Sequence, residues 1–278
     1  MELNKIYIGD VLEILKSFPD NSIDLAITSP PYNKGENKKG WLVENVKYKG
    51  ISDKMKEEEY QKWQIEVLNE VYRVIKPGGS FFYNHKIRWE RGIMLHPMEW
   101  INKSNWHVRQ EIIWDRGIAA NIRGWRFWQV EERIYWLYKP RSKKDLIGDE
   151  LLSKHALLTS IWRIPPEKNN PHPAPFPIEI PTRIIYSIFD EEKNKIILDP
   201  FAGSGTTLVA AKALNHNYIG IEKVKEYAEF AKERLKNYQK ELPKIEEELK
   251  KHKVKKTFKE RKAKGEFTGK HKPKTTLF

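Results

Sequence analysis

The sequence predicts an α/β fold built on a mostly parallel sheet with helices on both faces. Segments with the apolar pattern of strands alternate with segments of helical periodicity along most of the chain, which is the order typical of a parallel sheet. Ile23–Thr28 is apolar at nearly every position, as expected of a strand buried on both faces. It leads into a turn with two prolines, and Ile196–Leu198 leads into a glycine-rich turn. We therefore expect the functional residues at the ends of strands.

Seven strands and six helices are predicted in all. The strands are Lys5–Gly9, Ile23–Thr28, Ser80–Asn84, Val108–Asp115, Arg133–Lys139, Ile196–Leu198 and Tyr218–Ile221. The helices are Val11–Ser17, Glu57–Ile75, Gly92–Lys103, Ile178–Phe189, Leu208–Leu214 and Lys225–Gln239. Residues 34–54 predict a long polar loop, and the proline-rich residues 140–177 predict an irregular segment.

The composition excludes several classes of protein and of site. The chain has 278 residues and no cysteine, which rules out disulfides, thiol catalysis and cysteine-bound zinc or iron–sulfur clusters. The eight histidines show no metal-ligand spacing, so no metal site is expected. The amino terminus is charged throughout, unlike a signal peptide, and no apolar run reaches the roughly 18 residues of a membrane span. We expect a soluble, cytoplasmic prokaryotic protein with no membrane partner.

Positive charge is concentrated near the carboxyl end. The chain has a formal net charge of +13, and residues 251–278 hold eleven Lys or Arg and two acidic residues. Such a segment suits a polyanion such as nucleic acid, although a solubilising, disordered end is an equally good interpretation. Pro243 is predicted to end the packed domain, which gives a domain at 1–243 and a basic tail at 244–278.

The glycine-rich turn at 199–207 lies between a predicted strand and a predicted helix. Gly203 and Gly205 allow a tight turn and a close approach by a ligand. Glu222 ends the following strand, where an acidic residue meets the ribose hydroxyls of a nucleoside in folds of this kind. The Gly-Lys-Ser/Thr of a triphosphate site is missing. A lone Gly-x-Gly is more often structural, but together with this strand, helix and acidic residue it indicates a nucleoside site.

The proline turn has the groups needed to hold a planar ring with an amino group. The Ser29 hydroxyl and the Pro30 carbonyl are hydrogen-bond acceptors for the amine, and Tyr32 offers an aromatic face. For a bare Pro-Pro-Tyr, a rigid turn with a buried tyrosine would be the better interpretation. The buried strand before it and the glycine-rich turn elsewhere in the chain favour a site.

These motifs resemble those of the DNA amino-methyltransferases that use S-adenosylmethionine. TSPPYN at 28–33 resembles the catalytic tetrapeptide of the family, and DPFAGSGTT at 199–207 resembles its cofactor loop. IYIGD at 6–10 and HPAPFPIEIPTRII at 172–185 resemble two minor motifs. Because the catalytic motif precedes the cofactor motif, the resemblance implies the circularly permuted β group, with a Rossmann-like methyltransferase fold.

The resemblance implies roles for individual residues. The catalytic residues would be Ser29, Pro30, Pro31 and Tyr32, with Tyr32 stacking on the target base. The S-adenosylmethionine site would be formed by Asp10, Phe176, Pro177, Asp199, Phe201, Ala202, Gly203, Ser204, Gly205, Thr206, Thr207 and Glu222. A first serine in the tetrapeptide points to the N4 amine of cytosine. The same enzyme acting on adenine N6, an RNA methyltransferase and a non-catalytic DNA-binding module remain the alternatives.

The partner implied is double-stranded DNA, with the target base flipped out of the helix. Target recognition is expected in residues 34–54, 116–129 and 140–170. Arginines and aromatic residues alternate in the second segment, which suits contacts with phosphates and bases, although the aromatics of such a loop could also face the core. A homodimer and a separately acting restriction endonuclease are further partners that the resemblance suggests, and DNA would associate the protein with the nucleoid. The predicted DNA contacts are Lys34, Lys38, Lys39, Arg116, Arg123, Trp125 and Arg126.

Overall fold

The computed structural model describes residues 1–33, 54–119, 122–145, 147–149, 151, 159–167, 170, 175–252 and 258–266. Its strands are β1 (Lys5–Ile8), β2 (Ile23–Thr28), β3 (Ile75–His85), β4 (Arg88–Glu90), β5 (Ile93–Leu95), β6 (His107–Asp115), β7 (Glu131–Tyr138), β8 (Ile161–Arg163), β9 (Ile196–Asp199) and β10 (Asn217–Glu222). Its helices are α1 (Val11–Lys16), α2 (Glu57–Val74), α3 (Met98–Ile101), α4 (Glu179–Phe189), α5 (Thr206–Ala213), α6 (Lys225–Lys236), α7 (Leu242–His252) and α8 (Phe258–Ala263).

The large sheet has the strand order β1-β10-β9-β2-β3-β7-β6-β8. Strand β7 runs antiparallel to both of its neighbours, and all other pairings are parallel. The prediction of a mostly parallel sheet is therefore confirmed. Within the described residues the sheet has eight strands instead of the predicted seven, because Ile161–Arg163 pairs with β6. This strand of three residues is too short to show the alternating pattern of a strand. The prolines around it led to the prediction of an irregular segment.

The first strand of the chain lies beside the last one. Strand β1 pairs in parallel with β10, and α6, which follows β10, contacts β1. In an unpermuted fold the chain would continue from α6 into this edge strand. Here the amino-terminal segment supplies the edge strand as β1. This arrangement is the one expected of a circularly permuted fold.

Helices cover both faces of the sheet, as predicted. One apolar cluster joins the face of β2 that carries Leu25 and Ile27 to residues of α4, α5, α6 and α7. The second joins the face that carries Ala26 to residues of α1, α2 and α3. Because alternate residues of β2 belong to different clusters, both faces of the strand are buried, which explains its nearly continuous apolar sequence. None of the helices within the described residues is long and apolar enough to cross a membrane.

The predicted helix Gly92–Lys103 is largely wrong. Strands β4 and β5 form a hairpin there, and the helix is confined to α3. The two residues of the hairpin turn, Arg91 and Gly92, both have positive φ, at 49° and 84°. Turns of this kind match the twist of a hairpin, so the glycine marks a turn inside the span that had been assigned to a helix.

The packed part of the chain extends beyond the predicted boundary at Pro243. Helix α7 begins at Leu242 and packs on α4, with Ile245 and Glu248 buried. Arg183 Nε donates to Glu248 Oε1 at 2.7 Å. Proline is well tolerated in the first turn of a helix, where its missing N–H has no intrahelical partner, so Pro243 lies in the first turn of this helix and does not end the domain. Residues 253–257 and 267–278 of the predicted basic tail lie outside the described residues.

Candidate active site

The proline turn and the glycine-rich turn begin at the ends of neighbouring strands. Strands β2 and β9 pair in parallel, so their carboxyl ends lie at the same edge of the sheet. The Thr28 hydroxyl donates to Asp199 Oδ1 at 2.6 Å, and both side chains are buried. The Thr207 hydroxyl donates to the Ile27 carbonyl at 3.5 Å. These bonds hold together two segments that are about 170 residues apart in the chain.

Both turns line one cavity. Ser29 and Pro31 lie on its wall, together with Asp10, Phe201 and Glu222 from the predicted cofactor set. The other residues of the wall are Gly9, Val11, Asn33, Lys54, Met55, Tyr60, Trp63, Pro200, Ile221, Lys223, Val224 and Tyr227. Residues from both the predicted catalytic set and the predicted cofactor set therefore line the same space.

Two carboxylates mark one side of the cavity, at the ends of the paired strands β1 and β10. Glu222 accepts the backbone N–H groups of Gly203 and Val224, each at 2.8 Å. Burial raises the pKa of the Glu222 carboxyl above its usual value. Asp10 caps α1 by accepting the Leu12 N–H at 3.0 Å, and its other oxygen lies 3.7 Å from Lys223 Nζ.

These side chains fit an adenosine group. Carboxylates accept hydrogen bonds from ribose hydroxyls and amino groups, and a cationic sulfonium is favoured near negative charge. The aromatic rings of Phe201 and Trp63 meet edge to face at the cavity wall, with centroids 5.6 Å apart, and offer an apolar surface to a base. The chemistry of the donor set therefore agrees with the predicted cofactor.

The remaining predicted cofactor residues are placed behind the cavity wall. Gly203 and Gly205 have positive φ, at 51° and 80°, and shape the turn. The guanidinium of Arg234 donates to Thr206 Oγ1 at 2.8 Å and braces the loop from α6. The rest of this buried set does not line the cavity within the described residues and comprises Asp199, Ala202, Ser204, Thr207, Phe176 and Pro177.

The Tyr32 side chain points into the protein, where its hydroxyl is at the centre of a hydrogen-bond network. The residue is 5% exposed. Its hydroxyl lies 2.6 Å from Ser29 Oγ, donates to Glu132 Oε2 at 2.9 Å and accepts from Asn84 Nδ2 at 2.8 Å. Its ring is tilted by 44° against the His85 ring, with centroids 4.6 Å apart.

A second network fixes the backbone of the proline turn. The Tyr60 hydroxyl donates to the Pro31 carbonyl at 2.8 Å and lies 2.6 Å from His85 Nε2. Gln64 Nε2 donates to the same hydroxyl at 3.0 Å. Because α2 supplies Tyr60 and Gln64 while β3 supplies His85, the turn is held between a helix and a strand.

The sequence analysis missed Asn84, Glu132, Tyr60 and His85. Asn84 could have been found, since it is a polar residue at the end of a buried strand that neighbours β2. Glu132 gave no such signal, because it follows another glutamate at the beginning of a strand and not at its carboxyl end. Its position beside Asn84 depends on the antiparallel pairing of β3 with β7.

The structure separates the predicted DNA contacts into two groups. The Arg116 side chain is only 11% exposed and pairs with Glu132 Oε1 at 3.2 Å, so its guanidinium is turned away from solvent. Arg123 and Trp125 are exposed, and Arg126 stacks at 4.1 Å from the centroid of the Trp89 ring. Phe127 is 99% exposed and Trp128 is exposed as well, which contradicts the alternative in which these aromatics face the core. Lys34, Lys38 and Lys39 lie outside the described residues.

The family model for DNA methylases of the N6 and N4 classes matches residues 23–233. The chain belongs to the DNA methylase family. It is also 32% identical over 277 residues to the Type II methyltransferase M.BglII of Bacillus subtilis, in a match that covers 82% of this chain and 68% of that protein. The prediction of a β-group DNA amino-methyltransferase is thus confirmed.

Solved structures of DNA methylases have the same fold. The PvuII DNA methyltransferase, which is cytosine-N4-specific, has a TM-score of 0.65 and 20% identity, covering 87% of this chain and 93% of its own, and shows the fold alone. A protein of Thermus thermophilus assigned as a DNA modification methylase has a TM-score of 0.59 and 26% identity. That match covers 84% of this chain and 95% of the Thermus chain, which was solved in complex with S-adenosyl-L-methionine.

Proposed function

We propose that this protein transfers a methyl group from S-adenosylmethionine to the N4 amine of a cytosine in duplex DNA, as the methyltransferase of a Type II restriction–modification system. The observation that carries the proposal is the shared cavity, which is lined by Ser29 and Pro31 and also by Asp10, Phe201 and Glu222. An amino group held by the first set would face a cofactor held by the second. In such a system a separate endonuclease recognises the same DNA site.

S-adenosylmethionine is the cofactor, as the sequence predicted and as membership of the methyltransferase family requires. When bound, it supplies a methyl group on a positively charged sulfur. We assign the ribose hydroxyls to Glu222, whose carboxylate is already held by two backbone N–H groups. Asp10 lies at the end of the neighbouring strand and takes the adenine side, with Phe201 as the apolar wall.

The proline turn provides the acceptors that the amine needs. The amine of cytosine is a poor nucleophile because its lone pair is delocalised into the ring. Hydrogen bonds from the amine to Ser29 Oγ and to the Pro30 carbonyl favour a more pyramidal nitrogen and stabilise the positive charge that develops on it. The other contribution of the protein is to hold the amine in line with the methyl group.

The choice of cytosine rests on Ser29 as the first residue of the tetrapeptide. A serine offers an acceptor on a short side chain, whereas the resemblance associates aspartate or asparagine at this position with adenine N6. Adenine is therefore the second candidate substrate. The exposed loop with Arg123, Trp125 and Phe127 is the surface that we assign to DNA, and a flipped base would reach the cavity from the duplex.

The identity of the methylated base tests this proposal. Unmethylated genomic-length DNA and, in a separate reaction, RNA are incubated with the protein and cofactor labelled in the methyl group, and the nucleosides are then separated. We expect label in N4-methylcytosine. Label in N6-methyladenine would move the substrate to adenine, label in RNA alone would exclude DNA, and no label with intact cofactor binding would leave a DNA-binding module.

Two variants test the assignment of the catalytic turn. Ser29→Ala and Tyr32→Ala should each reduce methyl transfer by about 100-fold or more, because they remove an acceptor and the hydroxyl that holds it. Cofactor affinity, measured by calorimetry, should change little, since the variants leave the carboxylates of Asp10 and Glu222 in place. Near-normal turnover in both variants would contradict the assignment.

A further inference from the structure

We propose that Glu132 is a positioning residue for methyl transfer: its buried carboxylate fixes the direction of the hydrogen bonds through Tyr32 and Ser29, so that Ser29 Oγ faces the cavity as an acceptor. The inference rests on the proposed function, in which Ser29 holds the target amine. Glu132 itself does not line the cavity and acts through the two hydroxyls.

The direction of the bonds follows from the number of protons available. A carboxylate accepts hydrogen bonds and donates none, so the Tyr32 hydroxyl must direct its single proton to Glu132 Oε2, at 2.9 Å. The hydroxyls of Tyr32 and Ser29 are 2.6 Å apart. The proton between them therefore comes from Ser29.

Asn84 reinforces this direction. Its Nδ2 donates to the Tyr32 hydroxyl at 2.8 Å and to Glu132 Oε2 at 3.0 Å, and lies 3.3 Å from Ser29 Oγ, which uses at most one of the two lone pairs of that oxygen. The opposite orientation of the amide would place its carbonyl oxygen against an oxygen of the carboxylate, which cannot donate. The Tyr32 oxygen thus receives protons from Asn84 and from Ser29, and Ser29 keeps a lone pair for a donor in the cavity.

Arg116 keeps Glu132 in the ionised carboxylate form that this arrangement needs. The two side chains are 11% and 8% exposed, and Arg116 Nη1 lies 3.2 Å from Glu132 Oε1. A buried carboxyl without a cation would tend to hold a proton. A protonated Glu132 could donate to Tyr32 and reverse the chain, and Ser29 would then present its own hydrogen to the amine. The arginine that the sequence assigned to DNA therefore has a partner inside the active site.

A glutamine at 132 cannot replace the carboxylate, although it has nearly the same shape. With its oxygen toward Tyr32 and Asn84, its amide nitrogen faces the guanidinium of Arg116, and two donors meet. With the amide reversed, the nitrogen faces Asn84 Nδ2 and the Tyr32 oxygen. A carboxylate accepts on both sides, at Oε2 from Tyr32 and Asn84 and at Oε1 from Arg116.

The test compares Glu132→Gln, Arg116→Met and the double variant by the rate of a single turnover at saturating DNA and cofactor. We expect each single variant to lose about 100-fold in this rate, as a misplaced reacting group does, with the KM for cofactor and DNA changed less than about 3-fold. In the double variant the Arg116 guanidinium is gone, so the amide nitrogen introduced at position 132 no longer faces a donor. The amide oxygen can then point to Tyr32 and accept its hydrogen bond. The double variant should recover about 10-fold relative to Glu132→Gln, which is a coupling that independent defects do not show.

The matched control is Glu131→Gln, one residue earlier in β7, whose carboxylate pairs with Arg133 at 3.5 Å away from this network. It should leave the rate and both KM values unchanged. A Glu132→Gln rate within about 3-fold of wild type, or a double variant with the product of the two single losses, would overturn the inference. If wild-type protein methylates no base at all, the proposed function fails instead, so the two failures can be told apart. Thermal melting of every variant separates loss of folding from loss of rate.

Discussion

Asp199 joins the two turns of the active site, and it does so as a buried carboxyl. The Thr28 hydroxyl and the Phe201 N–H both donate to its Oδ1, at 2.6 and 3.1 Å, and the Thr207 hydroxyl lies beside the carboxyl group. Burial raises the pKa of this carboxyl from 3.8 to about 6 despite these bonds. A charge at this position therefore costs more in the folded chain than in the unfolded one.

The sign of this shift predicts how Asp199→Asn changes stability with pH. Because the folded pKa is raised, the contribution of Asp199 is most favourable below pH 3.8 and is lost as the pH rises through about 6. Asparagine carries no charge, keeps Oδ1 as an acceptor and offers its amide nitrogen to the Thr207 hydroxyl. We expect the variant to be more stable than wild type above pH 6, by up to roughly 3 kcal/mol, and to lose this advantage near pH 4.

Urea unfolding of the cofactor-free protein at pH 4.5 and 7.5 measures the effect. Glu229→Gln is the control, since this carboxylate is exposed on α6 and paired with Lys232. It should change the free energy of unfolding little at either pH. A variant Asp199→Asn that is less stable than wild type at pH 7.5 would show that the hydrogen bonds of the carboxylate outweigh its burial.

The sequence could predict the residues on the cavity wall better than those behind it. Ser29, Asp10 and Glu222 are each the residue at or just past a strand end, and the strand pattern alone locates such positions. Glu132 and Arg116 are brought to Tyr32 by the pairing of β3, β7 and β6. Antiparallel pairing between strands nearly 50 residues apart is a property of the fold, and no local pattern in the chain encodes it.

Among the elements, α5 and α6 show why the glycine-rich turn needs a glycine at 205. Gly205 precedes α5 with a φ of 80°, in the left-handed region that side chains disfavour. A Cβ at this position would lie 2.8 Å from the Ala231 Cβ of α6. The close approach of α6 to the turn therefore depends on the missing side chain.

Gly205→Ala should destabilise the protein by about 2 to 4 kcal/mol, because an unfavourable φ and an overpacked contact add. Gly124→Ala is the matched control, since a Cβ there meets no atom within 4 Å. The control should stay within about 0.5 kcal/mol of wild type in chemical denaturation. Equal stability of the two variants would mean that α6 can shift without cost.

At the level of elements, the errors of the sequence analysis have a common cause. Apolar runs identified β2, β3 and β9 because burial on both faces leaves little freedom of sequence. The helix assigned to Gly92–Lys103 was begun at a glycine that belongs to a hairpin turn, and the domain boundary was placed at Pro243, which lies in the first turn of a helix. These residues have different meanings at different positions of an element, so they locate its ends less well than periodicity locates its middle.

Across the whole molecule, an aromatic and basic surface remains exposed after the core is formed. Phe127 and Trp125 are 99% and 58% exposed, and the Arg126 guanidinium contacts the rings of Trp89 and Trp125, at 4.1 and 5.8 Å from their centroids. Large apolar side chains at this density on a surface usually mark a site of interaction. The loop leads through Gln129 directly into β7, the strand that carries Glu132. The side-chain amide of Gln129 donates to the Ile87 carbonyl at 3.2 Å and fixes this end of the loop.

If this surface binds DNA, charge and stacking should make separable contributions. Phe127→Ala should weaken duplex binding by about 1 to 3 kcal/mol through lost stacking, with little change in salt dependence. Arg123→Gln should lower the slope of log K against log salt by about 1, because one phosphate contact is lost. Phe230→Ala, which changes a partly exposed aromatic residue on α6, is the control and should bind DNA normally.

Fluorescence anisotropy at several salt concentrations measures the DNA affinity of all three variants, and a cofactor affinity equal to wild type shows that the cavity is intact. Unchanged DNA affinity in both loop variants would remove this surface from the DNA interface and leave target recognition to other segments of the chain.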